Sequence, residues 1–287
     1  MASQTNVREM IAKNNAKKGG ASDKIVPIIL GIISAISILT TIAILFTLLT
    51  ETITFFTRVP FSKFFLTGTW NPTGSNPEYG IWALIIGTLK ITFIATIVSV
   101  PIGLGAAIYL NEYASDRTRR IIKPILEILA GIPTIVFGFF ALTFVTPILR
   151  SIIPGLGEFN SISPGIVVGI MIVPIITSLS EDAMSSVPNK IREGAFGLGA
   201  TKFEVATKVV LPAATSGVVA SIVLGVSRAI GETMIVSLAA GSTPTSSLSL
   251  TSSIQTMTGY IVEDATGDAP FGSDIYYSIY AVGFTLF

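Results

Sequence analysis

The sequence predicts an all-α polytopic membrane protein with six spans. Three observations carry that prediction: the overall composition, the length of the charge-free apolar runs, and the uneven placement of basic residues. Half of the 287 residues are hydrophobic and only 12% are charged, with a mean hydropathy of +0.74. That is more apolar surface than one water-soluble core can hide. A helix needs roughly 20 apolar residues to cross ~30 Å of hydrocarbon. Runs of that kind occur at Ile25 to Thr50, Ile91 to Asn111, Ile128 to Leu149 and Phe159 to Ser180. A fifth, Pro212 to Ala240, is interrupted only by Arg228 and Glu232. The sixth, Ile275 to Phe287, is too short to cross and reads as a last helix cut short.

The basic residues set the orientation. With the N-terminus inside, thirteen Lys and Arg fall on the cytoplasmic side: Arg8, Lys13, Lys17, Lys18 and Lys24, then Arg117, Arg119, Arg120 and Lys123, then Lys190, Arg192, Lys202 and Lys208. Only Arg58, Lys63 and Arg150 fall outside. The imbalance predicts a cytoplasmic N-terminus and a cytoplasmic loop between spans four and five. Residues 1–24 form a polar cytoplasmic tail rich in Lys, Asn and Gly, and residues 25–287 form the membrane domain, with the loop at 185–211. The first apolar run is too long for a signal-peptide core and lacks a small-x-small cleavage site, so it is a retained anchor. A net charge of +1 gives no argument for a nucleic-acid partner.

Cysteine and histidine are both absent. Thiol redox chemistry, Cys/His zinc sites and Ser-His or Cys-His nucleophiles are therefore excluded, and no cofactor and no catalytic residue is expected. Trp70, Tyr79 and Trp82, in or just after the outside loop from Glu51 to Gly80, are expected at the headgroup level, with membrane lipid around the bundle. Pro101, Pro133, Pro147 and Pro174 and glycines such as Gly87, Gly103, Gly138 and Gly169 lie inside the spans. They predict close helix packing and kinks.

The cytoplasmic loop has its own local code. Ser186 is placed to cap a helix with Pro188 in its first turn, running through Lys190, Glu193 and Ala195. Gly199 suits the left-handed residue that stops it. Thr201 to Glu204 reads as a capping box, so a second helix starts at once and runs to Val210 before Pro212 opens the next span. Ile191, Ala195 and Leu198 share one apolar face and Phe203, Ala206 and Val210 another, one to pack on the bundle and the other to dock elsewhere. Gly194 to Gly199 has the glycine spacing of a phosphate-binding loop, but Ala200 stands where that motif needs lysine, and no strand precedes it. The chain binds no ATP there.

Glu193, Ala195, Gly199, Val209, Leu211 and Pro212 stand at the spacing of the EAA coupling loop, with Gly194 in place of the usual alanine. This resembles the permease subunits of ABC transporters, whose loop docks into a cleft of the ATPase. Phe65 to Pro72, Tyr79 to Ile81, Pro101 to Leu110, Leu129 to Thr134 and Arg228 to Met234 are similar to phosphate-specific permeases of the PstC kind, from about residue 60 to the end. The resemblance implies a type I six-helix importer bundle in the cell membrane. It also implies a PstA-like second permease, an ATPase dimer gripping the Glu193 loop, and an external phosphate-binding protein docking on loops around 60–80 and 241–273.

Arg228 and Glu232 are the residues on which a transport path would rest. Arg228 lies 16 residues beyond Pro212, about 24 Å along a continuous helix, and Glu232 falls one turn further on the same face. Each charge costs about 2.5–3.5 kcal/mol in hydrocarbon, so both should face the bundle interior. Arginine keeps its charge and offers a planar fork to phosphate oxygens. A static pair fixing helix register is the other reading, although Arg before Glu is the weaker order for an i,i+4 pair. Lys90 either lends positive potential to an outer vestibule or snorkels to the interface. Another oxyanion such as sulfate or molybdate, or a role in signalling phosphate status, are the alternatives to phosphate import.

Overall fold

The computed structural model describes residues 21–267 and 269–287; residues 1–20 of the predicted polar tail lie outside it. Among the described residues the architecture is helical, with one two-stranded hairpin. The first helix, α1 (Ala21–Arg58), is 38 residues long, and the most apolar stretch of its span has no buried residue. It meets the rest of the chain near its C-terminal end, where Leu48 approaches Gly283.

A cap follows, built of α2 (Phe61–Leu66) and the antiparallel strands β1 (Trp70–Asn71) and β2 (Glu78–Tyr79), with Trp70 paired to Tyr79. Phe55, Phe64, Trp70 and Tyr79 meet edge to face there, and Trp70 contacts Tyr260 at 4.8 Å between ring centroids. Trp70 and Tyr79 are thus buried core of the cap rather than members of an interfacial belt, because the hairpin turns both rings inward. Only Trp82 is exposed as expected.

The centre of the bundle is α3 (Trp82–Ile108) packed on α7 (Ile162–Ser185), with α11 (Thr215–Ile230) across both. Small residues permit the approach. A Cβ on Gly165 would stand 2.7 Å from Ile94 Cβ, and one on Gly169 would stand 2.8 Å from Val98 Cβ. Gly103 meets Ile176 in the same way. Two thirds of the most apolar stretch of α7 is buried, against none of α1, so α7 is the axis of the fold.

Two predicted spans are interrupted. The run from Ile128 to Leu149 is broken at Pro133. α4 (Asp116–Ala130) ends at Gly131, and α5 (Thr134–Phe140) continues through a π-helical turn into α6 (Thr146–Ile152). Proline biases the residue before it away from helix, so an apolar run can continue where the helix does not. The spanning stretch is therefore Thr134–Ile152. The run from Pro212 to Ala240 is broken twice. The loop between spans contains α8 (Asn189–Gly197), α9 (Lys202–Glu204), a π-helical turn at Val205–Val210 and α10 (Leu211–Ala213), and the axis then bends by 76° into α11. α11 stops at Ile230, and α12 (Met234–Ala239) starts a new segment after Gly231 to Thr233. Two helices close the chain, α13 (Met257–Thr266) and α14 (Asp274–Leu286). Among the described residues, four helices are long and apolar enough to cross a membrane, and the bent pair makes a fifth.

Candidate functional site

Two regions at opposite ends of α11 hold the sequence-predicted site residues. At its start lies the loop 185–211. Gly199 has φ +84°, a left-handed conformation that glycine adopts at no steric cost. Thr201 caps the following turn through a bond from the Glu204 backbone N–H at 3.3 Å, and the Glu204 carboxylate accepts from the Thr201 N–H at 3.1 Å, so the predicted capping box forms. Ser186 does not start α8. Its hydroxyl donates back to the Ala183 carbonyl at 2.7 Å, and Pro188 stands at the N-cap instead. The apolar residues split differently from the predicted faces: Val205, Ala206 and Val210 are buried, whereas Ile191, Phe196, Leu198 and Phe203 are exposed, Leu198 at 91%. Glu193, Gly194 and Gly199 are exposed beside them, and Ala195, Leu211 and the buried Val210 pack toward the bundle. The loop therefore presents an apolar knob with an acidic residue at its edge.

At the other end of α11 lie Arg228 and Glu232. The predicted one-turn spacing on a continuous helix is replaced by a break, since Glu232 lies beyond the end of α11. The pair survives the break: Arg228 Nη1 is 3.1 Å from Glu232 Oε2. The two partners differ in environment. Glu232 is 1% exposed, and its Oε1 accepts from the Ile235 N–H at 3.3 Å at the start of α12. Its carbonyl accepts from Thr258 Oγ1 at 2.6 Å. Arg228 is 42% exposed, and its contact with Oε2 lacks hydrogen-bond alignment. The carboxylate is fixed by the backbone, and the guanidinium keeps most of its donors free.

Lys90 is not in the same place. It sits on α3 at 7% exposure, and its ammonium donates to the Ser249 carbonyl at 2.9 Å and to the Ser247 carbonyl. The side chain holds the Ser/Thr-rich segment between α12 and α13. Ser247 in turn lines a cavity at the hairpin end, so the buried ammonium is tied to the wall of that cavity.

A cavity of about 730 Å³ opens at the hairpin end, lined by Trp70, Glu78, Ser246, Gln255, Glu263 and Asp264 among others. Among the described residues, its lining holds no Lys or Arg. Burial lifts the Asp264 carboxyl above its usual range, the nearby Tyr260 hydroxyl opposes this, and the neighbouring Glu263 charge adds to it.

Sequence reasoning missed a charged cluster at the loop end of the bundle. Glu181 of α7 is almost fully buried and pairs with Lys123, which also lies 3.3 Å from Asp182, while Arg119 approaches Glu181 at 3.6 Å. The pairing with Glu181 holds the Lys123 ammonium above its usual range against the opposing effect of burial. The signal available was Glu181 itself, an acid near the end of an apolar helix.

The binding-protein-dependent transport system inner membrane component family matches residues 99–287. The chain belongs to this family. It is 34% identical over 245 residues to the phosphate transport system permease protein PstC of Mesorhizobium japonicum, which covers 78% of this chain and 73% of that one. With PstC of Xylella fastidiosa it shares 34% identity, over 70% of this chain and 68% of the other. A probable ABC transporter permease protein, YqgH of Bacillus subtilis, is 39% identical over 61% of this chain, which spans 56% of the YqgH length. Among solved structures, the inward-facing MetNI methionine ABC transporter gives a TM-score of 0.48 at 18% identity over 72% of this chain and 91% of the other, too distant to fix the fold. As a binding-protein-dependent inner membrane component with several apolar helices, the chain is a multi-pass membrane permease.

Proposed function

We propose that this chain is the permease subunit of an ATP-driven importer that carries inorganic phosphate across the cell membrane by alternating access. The observation that carries the reading is Arg228: a guanidinium in a membrane helix, 42% exposed, resting on a carboxylate that the backbone holds in place. Arginine stays charged at every physiological pH, and its fork matches phosphate oxygens. Phosphate arriving at Arg228 takes over donors that Glu232 engages poorly. The fixed carboxylate then repels the bound anion, and closure of the outer side returns Arg228 to Glu232 and favours release. PstC relatives named for phosphate transport support the substrate.

The N-terminus is cytoplasmic in this reading, which puts the loop 185–211 on the ATPase side. An ATPase pair grips the knob of Ile191, Phe196, Leu198 and Phe203 beside Glu193, and ATP hydrolysis resides wholly in that partner. A PstA-like permease completes the path. An external phosphate-binding protein docks on the hairpin end, where the acidic cavity accepts basic side chains.

The test is uptake of radiolabelled phosphate in cells whose sole phosphate importer is this permease with its partners, with excess sulfate or molybdate as competitor. Uptake that persists against both anions is expected. Uptake abolished by either one would assign the permease to that oxyanion instead.

A further inference from the structure

The short helix α8 carries the docking knob, yet none of its residues is fully buried. A helix that receives a mechanical input needs a stiff link to whatever it moves. Among the described residues, Arg192 is the one side chain of α8 that hydrogen-bonds outside the helix's own residues and its cap. Its Nη2 donates to the Met184 carbonyl at 2.7 Å, at the end of α7, and its Nη1 to the Val187 carbonyl just past that end. Its Nε donates to Glu112 Oε1 at 3.2 Å. Both side chains of that pair are largely buried, 13% exposed for Arg192 and 6% for Glu112.

Glu112 lies in the π-helical turn Tyr109–Tyr113 that ends α3. Such turns are weak points in a helix and recur at functional sites. A second arginine grips the same turn: Arg119 of α4 donates to the Leu110 carbonyl at 2.8 Å and to the Asn111 carbonyl at 3.3 Å. Arg119 and Lys123 then reach the buried Glu181 on α7. The chain of contacts runs from the coupling helix through Arg192 and Glu112 into the end of α3, and on through α4 to α7. α3 and α7 form the centre of the bundle.

We propose that Arg192 is a positioning residue which transmits movement of the ATPase-docked helix α8 to the ends of α3 and α7, acting through Glu112 in the π-helical turn. This rests on the reading of the chain as an ATP-driven importer. Arg192 turns inward from the knob, so it serves transmission rather than docking. Arginine suits the role because its rigid fork engages three acceptors at once, which a lysine cannot reproduce.

The test uses the complete complex in proteoliposomes, with partner permease, ATPase and external binding protein. Phosphate uptake and ATP hydrolysis are measured on the same vesicles and expressed as phosphate moved per ATP, normalised to assembled complex. Arg192→Gln is expected to lower that ratio about tenfold, within the usual range of coupling between sites. Glu112→Gln, which leaves the docking helix untouched, should lower it similarly. Arg192→Lys should restore part of it, and Arg192→Glu combined with Glu112→Arg should exceed Arg192→Glu alone. A ratio unchanged in assembled Arg192→Gln or Glu112→Gln would overturn the proposal. So would uptake and hydrolysis falling in proportion, since that is the signature of weakened docking. If Arg192→Gln fails to assemble, the Glu112→Gln ratio decides. Wild-type vesicles without ATP-driven uptake would refute the importer reading instead, whereas active wild type with unaltered variants refutes only the role of Arg192.

Discussion

Replacing Lys90 with methionine separates a structural clamp from a cation on the anion path. Methionine keeps the length and apolar stem of lysine and removes the ammonium. Two bonds to the Ser247 and Ser249 carbonyls are lost. Hydrogen bonds from charged groups contribute about 1.5–3 kcal/mol each. Both serines are exposed, so water satisfies the freed carbonyls, and the burial cost of the ammonium also disappears. The net loss should therefore lie near the value of one bond, which speeds local opening about 10- to 150-fold. Hydrogen exchange reads this directly. The Ser247 and Ser249 amides, held at 3.2 Å by Thr245 Oγ1 and Ser247 Oγ, should exchange faster by that factor. The Gly157 and Ser161 amides, which bond to the Thr251 and Leu250 carbonyls at 2.8 and 3.1 Å, should not change. Unaltered exchange at 247 and 249, together with a raised KM for phosphate, would refute the clamp and return Lys90 to the anion path.

Two further substitutions test the packing and the coupling helix. A Cβ at Gly194 meets nothing within 4 Å, so Gly194→Ala should stabilise α8 by up to about 1 kcal/mol, read as roughly fivefold slower exchange of its amides; faster exchange would contradict this. Gly169→Leu should lower the Tm of the detergent-solubilised complex, because its Cβ would stand 2.9 Å from the Ala95 carbonyl oxygen, an overpacking cost of at least about 1–3 kcal/mol. Gly105→Leu, at a helical glycine with open space around its Cβ, should not lower Tm, and an equal loss in both would deny the close contact of α3 and α7.

What the sequence made legible depends on how local the cause is. The capping box at Thr201, the left-handed Gly199 and the spans α1, α3 and α7 each follow from residues adjacent in the chain. Pro133 signalled a kink, but that it ends one helix, like the end of α11 at Ile230, was hidden because apolar character continues across both, and hydropathy reports solvent preference rather than backbone continuity. The burial of Trp70 and Tyr79 depends on the hairpin pairing them, and on Tyr260 closing over Trp70 from far along the chain. Arg228 and Glu232 were found because charge inside an apolar run is conspicuous, although their unequal exposure needed the fold. Arg192 and Glu112 were missed because each sits among polar neighbours, and the partners are 80 residues apart.

The central claim is that a free guanidinium at position 228 carries the anion. The most direct measurement is ATP-driven phosphate accumulation in proteoliposomes holding the full complex, wild type against Arg228→Gln, with Arg228→Gln/Glu232→Gln included to remove the uncompensated buried carboxylate. Loss of the charged bonds to phosphate should cost about 3 kcal/mol, a fall of roughly 100-fold or more in kcat/KM in both variants, with the double variant assembled as well as wild type. Accumulation near the wild-type rate in an assembled Arg228 variant would contradict the account.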